Sequence, residues 1–258
     1  MPADSASIAP SAFVHPLARL GAEVVVGHFA VVEAEAVLGD GVRIGPHAVL
    51  HAGTRLGDGV RVDSHAEIGK EPLRAARSAT TTAGPALPPA VVGAGSLVGT
   101  GAVLYAGCVV GARVLVADYA TVRERVSVGD ETIVGRGVAI ENDSVVGARC
   151  KLETNAYVTA FSTIEDDVFV APGVLTSNDN FMGRTEERRK HFGGPTVRRG
   201  ARLGVGAVLL PGREVPPEAV VAAGAVLTRD AEAGQVHMGV PARALRPVPP
   251  EQRLDAAP

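Results

Sequence analysis

The chain has 258 residues, 46% of them hydrophobic, with 31 Gly, no Trp and only 3% aromatics. Its 25 basic and 28 acidic residues leave a formal charge of −3, which offers no footprint for nucleic acid or an anionic membrane. No apolar run reaches the length of a bilayer span and the first residues lack a basic-then-apolar signal order, so a cytoplasmic protein is expected.

From Ile8 onward an Ile, Leu or Val recurs at every sixth residue, through Val14, Leu20, Val26 and Val32 to Ile68. The series resumes at Val92, runs to Val170, slips at Thr176, and returns from Val197 to Leu227. Aliphatic residues thus fill 31 of 32 sampled positions, a regularity that neither a helix period nor strand alternation produces. A six-residue period is the signature of a parallel β-helix. The residue four after each aliphatic is small, as at Ala12, Ala18, Ala30, Ser96, Ala102 and Cys108. The aliphatic and the small residue point into a narrow prism, and Gly or Asn supplies the corner, where φ > 0 is cheapest. Three hexads make one coil of 18 residues, and coils stack at about 4.8 Å. Such a solenoid packs stacked aliphatics and needs few large rings. Cys108 and Cys150 both fall at the small inward position, which makes them buried hydrophobes rather than a disulfide or metal pair.

Two segments break the period. Residues 70–91 are rich in Ala, Thr and Pro and read as a loop leaving one corner. Residues 182–196 carry Arg184, Arg188, Arg189, Lys190 and His191 against Glu186 and Glu187. That run is either a solvated surface loop or a clamp over a substrate. The expected organisation is a β-helix over 1–230 with these two loops, then a Pro-rich tail at 231–258 that caps the open end.

Residues 18 apart share a face. Between Val92 and Phe181 two faces carry Gly or Ala after most of their aliphatics, whereas the third reads Tyr105, Arg123, Glu141, Thr159, Ser177. The columns beside it add Glu124, Asn142, Asn178 and then Arg125, Asp143, Asp179. The core needs none of these. They form a binding strip or, alternatively, an ordinary solvated face or the ion pairs of a trimer contact. If the first loop is a pure corner insertion, the column His15, Glu33, His51 lies on the same face.

The segment TIEDDVFVAP at 163–172 followed by TSND at 176–179 resembles the sugar-nucleotide N-acetyltransferases of the hexapeptide-repeat class, and VPAR at 240–243 resembles the C-terminal signature of that class. The resemblance implies a left-handed β-helix, a homotrimer, and acetyl-CoA held in the groove between prisms with its adenine end toward the C-terminal coils. It implies N-acetylation of a nucleotide-linked amino sugar. On that reading Glu141 or His191 takes the amine proton, and Arg123, Glu124, Asn142, Asn178 and Asp179 hold the sugar. Arg184, Arg188 and Lys190 meet phosphates, and Gly204, Ala222, Ala223 and Arg243 contact CoA. VRERVSV at 122–128 also resembles the UDP-N-acetylglucosamine O-acyltransferases, but Gly129 stands where a histidine follows that motif, and the helical C-terminal domain of that family is not expected. A hydroxyl nucleophile needs a positioned base, whereas a neutral amine needs much less. No His lies between Val92 and Phe181, which also argues against the three-His zinc site of the γ-class carbonic anhydrases. No metal is expected. His28, His47 and His65 read as surface residues, and His237 as structural. Two other readings stand beside this one: acyl transfer to another small-molecule amine or hydroxyl, and a non-catalytic scaffold.

Overall fold

The computed structural model describes residues 6–76, 78 and 85–254. Each hexad folds as a strand of about two residues followed by a turn, as in Val25–Val26, Val31–Val32 and Val37–Leu38. From the second coil on, the second residue of each pair is the aliphatic of the six-residue series and is buried, while the first faces outward. Corner residues take the left-handed conformation whether or not they are glycine: Glu35 and His47 both have φ near 59°. That conformation costs a side-chain-bearing residue roughly 1–2 kcal/mol. The corner N–H helps offset the cost by donating to the preceding coil, as His47 does to the His28 carbonyl at 3.0 Å.

Three parallel sheets result. The first face begins at Ser7–Ile8, the second at Phe13–Val14 and the third at Arg19–Leu20; they hold 13, 11 and 10 strands. Together with the likeness to solved structures given below, this is a left-handed parallel β-helix. The interior is a stack of aliphatics such as Leu38, Leu50, Ile68, Leu104, Ile140, Leu152 and Leu203. Hydroxyls at the small inward position bond within the wall: Ser96 donates to the Gly111 carbonyl and accepts the Val114 N–H. Cys108 and Cys150 are free and buried, and burial pushes their thiols up to about 12 and about 11.

Ile68 pairs with Leu50 on one side and Leu104 on the other. The 70–91 loop is therefore an insertion between neighbouring coils, and His15, Glu33 and His51 share the second face with Arg123 and Glu141. At the C-terminal end Gln235–Met238 adds a parallel strand to the first face, and Arg243–Pro247 folds back antiparallel to it. Leu254 then lies beside Glu218, whose side chain accepts its N–H.

Thr176 breaks the aliphatic series for a local reason. Its hydroxyl accepts the Thr159 N–H at 2.7 Å and donates to the Tyr157 carbonyl at 3.0 Å. The side chain thus replaces a backbone rung where the chain leaves the second face for the 182–196 loop. Thr176→Val should leave the buried Thr159 N–H unpaired and lower stability by about 1–3 kcal/mol. Urea denaturation checks this, and an unchanged midpoint would contradict the assigned role.

Candidate functional site

The second face carries the polar strip. At its centre Arg123 donates to both carboxylate oxygens of Glu124, at 2.8 and 3.2 Å, and to Glu141 at 3.4 Å. Glu124 is wholly buried, so this pair fixes the guanidinium from beneath. The Arg123 guanidinium also lies 4.7 Å above the Tyr105 ring. Beside it Arg125 grips Asp143 through two bonds, at 2.6 and 2.8 Å, and the buried Asn142 donates to Asp143. That clamp holds the Asp143 carboxyl below the usual carboxylate range.

Glu141 is the exception among these carboxylates. Burial raises its pKa, the nearby Arg123 charge opposes that rise, and Glu124 adds to it. It is about one quarter exposed and thus open to a ligand. Tyr157 stands next to it, and burial together with the Glu141 charge raises the phenol's pKa.

The strip extends further toward the N-terminus than the six-residue grid suggests. Gly69, at φ 87°, is a bulge that brings Lys70 into register with Tyr105. A side chain at Gly69 would strike the Thr54 hydroxyl and the His51 Cβ. Lys70 donates to Glu67 at 2.7 Å, and the other Glu67 oxygen lies 2.9 Å from His51 Nε2. His51 Nδ1 faces Glu33 at 3.5 Å. Glu67 and Lys70 carry no hexad signature, since Glu67 sits in an ordinary outward strand position and Lys70 lies one residue off the grid. The chemical signal that could have found them is their spacing from each other.

Asn178 and Asp179 lie at the exit of the strip. Asn178 donates weakly to the Ala160 carbonyl. Asp179 accepts the N–H groups of Phe181 and Gly183, at 2.8 and 2.9 Å, and faces Arg188 at 3.4 Å. Its carboxylate organises the loop that follows. Within that loop a 3₁₀ turn, Glu186–Lys190, pairs Lys190 and His191 with Glu187. His191 is more than half exposed and stacks on Phe181 with ring centroids 5.9 Å apart. Arg184 is exposed and, among the described residues, faces no carboxylate.

The two loops meet. Ala76 and Ser78 of the first and Gly183, Thr185, Glu186, Arg188 and Arg189 of the second line a common cleft of about 410 Å³. Leu87 of the first loop packs over Gly107 at the edge of the strip. The cleft shared by segments about a hundred residues apart has no signature in the sequence.

Gly204, Ala222 and Ala223 stack directly, since a Cβ on Gly204 would strike the Ala223 nitrogen. They follow strands of the first face, Arg202–Leu203 and Val220–Val221, and Arg243 lies on the terminal hairpin of that same sheet. One chain therefore does not bring this group onto the face that carries Arg123 and Glu141. Among the described residues no three His, Cys, Asp or Glu side chains converge as a metal site, and no helix is long and apolar enough to cross a membrane.

A family profile described as bacterial transferase hexapeptide (six repeats) matches residues 35–70. No curated protein matches the chain significantly. Among solved structures, the UDP-N-acetylglucosamine acyltransferase of Arabidopsis is similar with a TM-score of 0.65 and 17% identity, over 93% of this chain and 74% of that one. That of Francisella novicida is similar with a TM-score of 0.52 and 19% identity, over 84% and 67% of the two chains. These likenesses show the fold, a left-handed parallel β-helix, and the profile marks hexapeptide repeats over residues 35–70.

The geometry separates two carboxylates by role. Because Glu141's folded pKa lies above its unfolded value, the stability it contributes is present at low pH and lost as the pH rises through the folded pKa. Glu141→Gln should therefore be as stable as the parent, or more so, at pH 7–8. Glu124→Ala removes a buried charged partner and should cost about 2–3 kcal/mol. Denaturation of both variants checks the contrast, and equal losses would contradict it.

Proposed function

We propose that the protein is an acyltransferase that uses acetyl-CoA to N-acetylate an amino sugar, nucleotide-linked, and that it works as a homotrimer. The observation that carries this reading is Glu141: a ligand-accessible carboxylate whose pKa burial raises, beside an Arg123 anchored by buried Glu124. A base is most effective when its pKa approaches the working pH.

In this mechanism the neutral amine attacks the thioester carbon and Glu141 accepts its proton. Arg123 holds Glu141 in place and, with Asn178, presents polar groups to the sugar, whereas Asn142, wholly buried and bonded to Asp143, serves from behind and does not reach it. Glu124 and Asp179 serve from behind, fixing Arg123 and the loop. Arg184, Arg188 and Lys190 supply positive charge for phosphates of the donor or the nucleotide, and His191 is the alternative proton acceptor. The flat column of Gly204, Ala222 and Ala223, with Arg243 nearby, leaves space for CoA. It follows the first face while the strip occupies the second, so joining them calls for a neighbouring prism. Cyclic symmetry apposes different faces of identical chains in that way.

The sugar-nucleotide acceptor is supported by the solved structures with this fold, which are described as UDP-N-acetylglucosamine acyltransferases. The amine is supported by the residues at 163–179 and by the absence of His between Val92 and Phe181. A hydroxyl acceptor is the second reading, because His51 and Glu67 on the same face form a dyad at 2.9 Å. The amine is preferred because both ring nitrogens of His51 already face carboxylates.

Thiol release from acetyl-CoA with nucleotide-linked amino sugars tests the reading. Glu141→Gln should lower kcat by about 10²–10⁴ with a smaller effect on KM, whereas His191→Ala should retain most activity. Full activity of Glu141→Gln would remove it as the base, and no thiol release with any amine would overturn the reading. Deleting residues 182–194 should abolish turnover and leave the coils folded, since solenoid stability comes from neighbouring repeats. Normal turnover of that deletion would reduce the loop to a solvated surface.

A further inference from the structure

Both long loops leave the prism at the same corner. The first departs after Glu67–Lys70 on the second face and returns at Val91–Val92 on the third. The second departs after Leu175–Thr176 on the second face and returns at Thr196–Val197 on the third. Their roots are five coils apart, about 24 Å at the interstrand spacing. The intervening coils carry Tyr105, Arg123, Glu141 and Thr159. Because the loops share a cleft, they bridge that distance along the edge of the polar strip. Leu87 marks the path, sitting over Gly107 at one of these corners.

The cleft is lined by Ser78 from the first loop and by Thr185, Arg188 and Arg189 from the second, with Glu186 as the carboxylate among them. Its volume of about 410 Å³ falls within the range of small-molecule sites, about 300–1,000 Å³. Arg188 is held from two sides. Asp179 Oδ2 lies 3.4 Å from its Nη1, and the Phe192 ring lies 5.7 Å from its Cζ. One bond to Asp179 leaves most of the guanidinium donors for a ligand. Arg189 pairs with Glu186, but both side chains are largely exposed, and an incoming oxyanion can displace so weak a contact. Adjacent guanidinium forks beside hydroxyls match a ligand with several phosphate oxygens.

The position of the cleft says whose phosphates these are. The flat column of Gly204, Ala222 and Ala223 follows the first face, at a different corner. Within one chain the cleft therefore serves what lies on the strip, and Asp179 ties it to Asn178 at the strip's exit. We infer that this cleft is the subsite for the diphosphate of a nucleotide-linked acceptor, with the first loop as its outer wall, and that it selects such acceptors over free amino sugars. The inference rests on the amino-sugar reading above. The sugar lies along the strip with its amine at Glu141, and its phosphates reach Arg188 and Arg189 past Asn178.

Two measurements test it: calorimetric titration with a nucleoside diphosphate alone, and thiol release from acetyl-CoA with one amino sugar in nucleotide-linked and free forms. Arg188→Gln and Ser78→Glu approach the cleft from opposite sides. Ser78→Glu places a negative charge there from the loop that Asp179 does not organise, so it separates ligand binding from disorder of the second loop. Each should weaken nucleoside diphosphate binding and raise KM for the nucleotide-linked sugar by about 10–100-fold. The preference of the enzyme for the linked over the free sugar, as a ratio of kcat/KM, should fall by the same factor. A wild type that binds no nucleoside diphosphate, or that acetylates the free sugar as efficiently, overturns the inference and leaves the acyltransferase reading intact. So does a rise in KM for acetyl-CoA in place of the acceptor, which assigns the cleft to the donor. A wild type that binds the diphosphate but releases no thiol with any amine overturns the amino-sugar reading and, with it, the assignment to an acceptor.

Discussion

Everything in this molecule depends on the backbone ladder between coils. Each rung places a residue over its equivalent in the next coil, and 18 residues close one turn without gaps or overlap. Three consequences follow. The interior must be filled by one aliphatic and one small residue per hexad, which is why the six-residue period is so strict. The corners must adopt left-handed backbone, even at Glu35 or His47. The strand N–H groups of each face are spent in the ladder, so a flat strand surface offers little chemistry until side chains are added. The polar strip is therefore an addition to the scaffold and not a by-product of it.

Within the strip the charges are not equivalent. Asp143, Glu67 and Asp179 each sit against donors that hold their carboxyls below the ordinary range. Such groups stabilise local geometry at neutral pH and have little affinity for a proton. Glu141 alone among them is shifted the other way, by burial. Perturbed carboxylates cluster where chemistry is done, but the direction of the shift separates the organising groups from a proton acceptor. Glu124 is the counterpart of Glu141: fully buried, bonded twice to Arg123, and suited to positioning alone.

The prism, its faces and the two excursions were legible because the aliphatic period reports directly on burial. The shared face of His51 and Arg123 was legible too, given a corner insertion between Ile68 and Val92. Other features were hidden for identifiable reasons. The bulge at Gly69 moves Lys70 one residue off the grid, so its approach to Tyr105 cannot be counted from the sequence. Thr176 looked like a lapse in the repeat and is instead the hydrogen-bonding device that ends a rung. Asp179 read as a sugar ligand, whereas its bonds to Phe181, Gly183 and Arg188 show a loop organiser. The cleft that the two loops share depends on how long insertions lie along the prism, which no period encodes.

The central claim is that Glu141 receives a proton from an attacking amine. The pH dependence of kcat/KM for acetyl transfer to a nucleotide-linked amino sugar tests it most directly, with Glu141→Gln measured in parallel. The account predicts an acid limb in the wild type above the ordinary Glu range of about 4.3, and its disappearance in the variant together with most of the rate. A wild-type profile without that limb, or a variant that keeps both the limb and the rate, would contradict it.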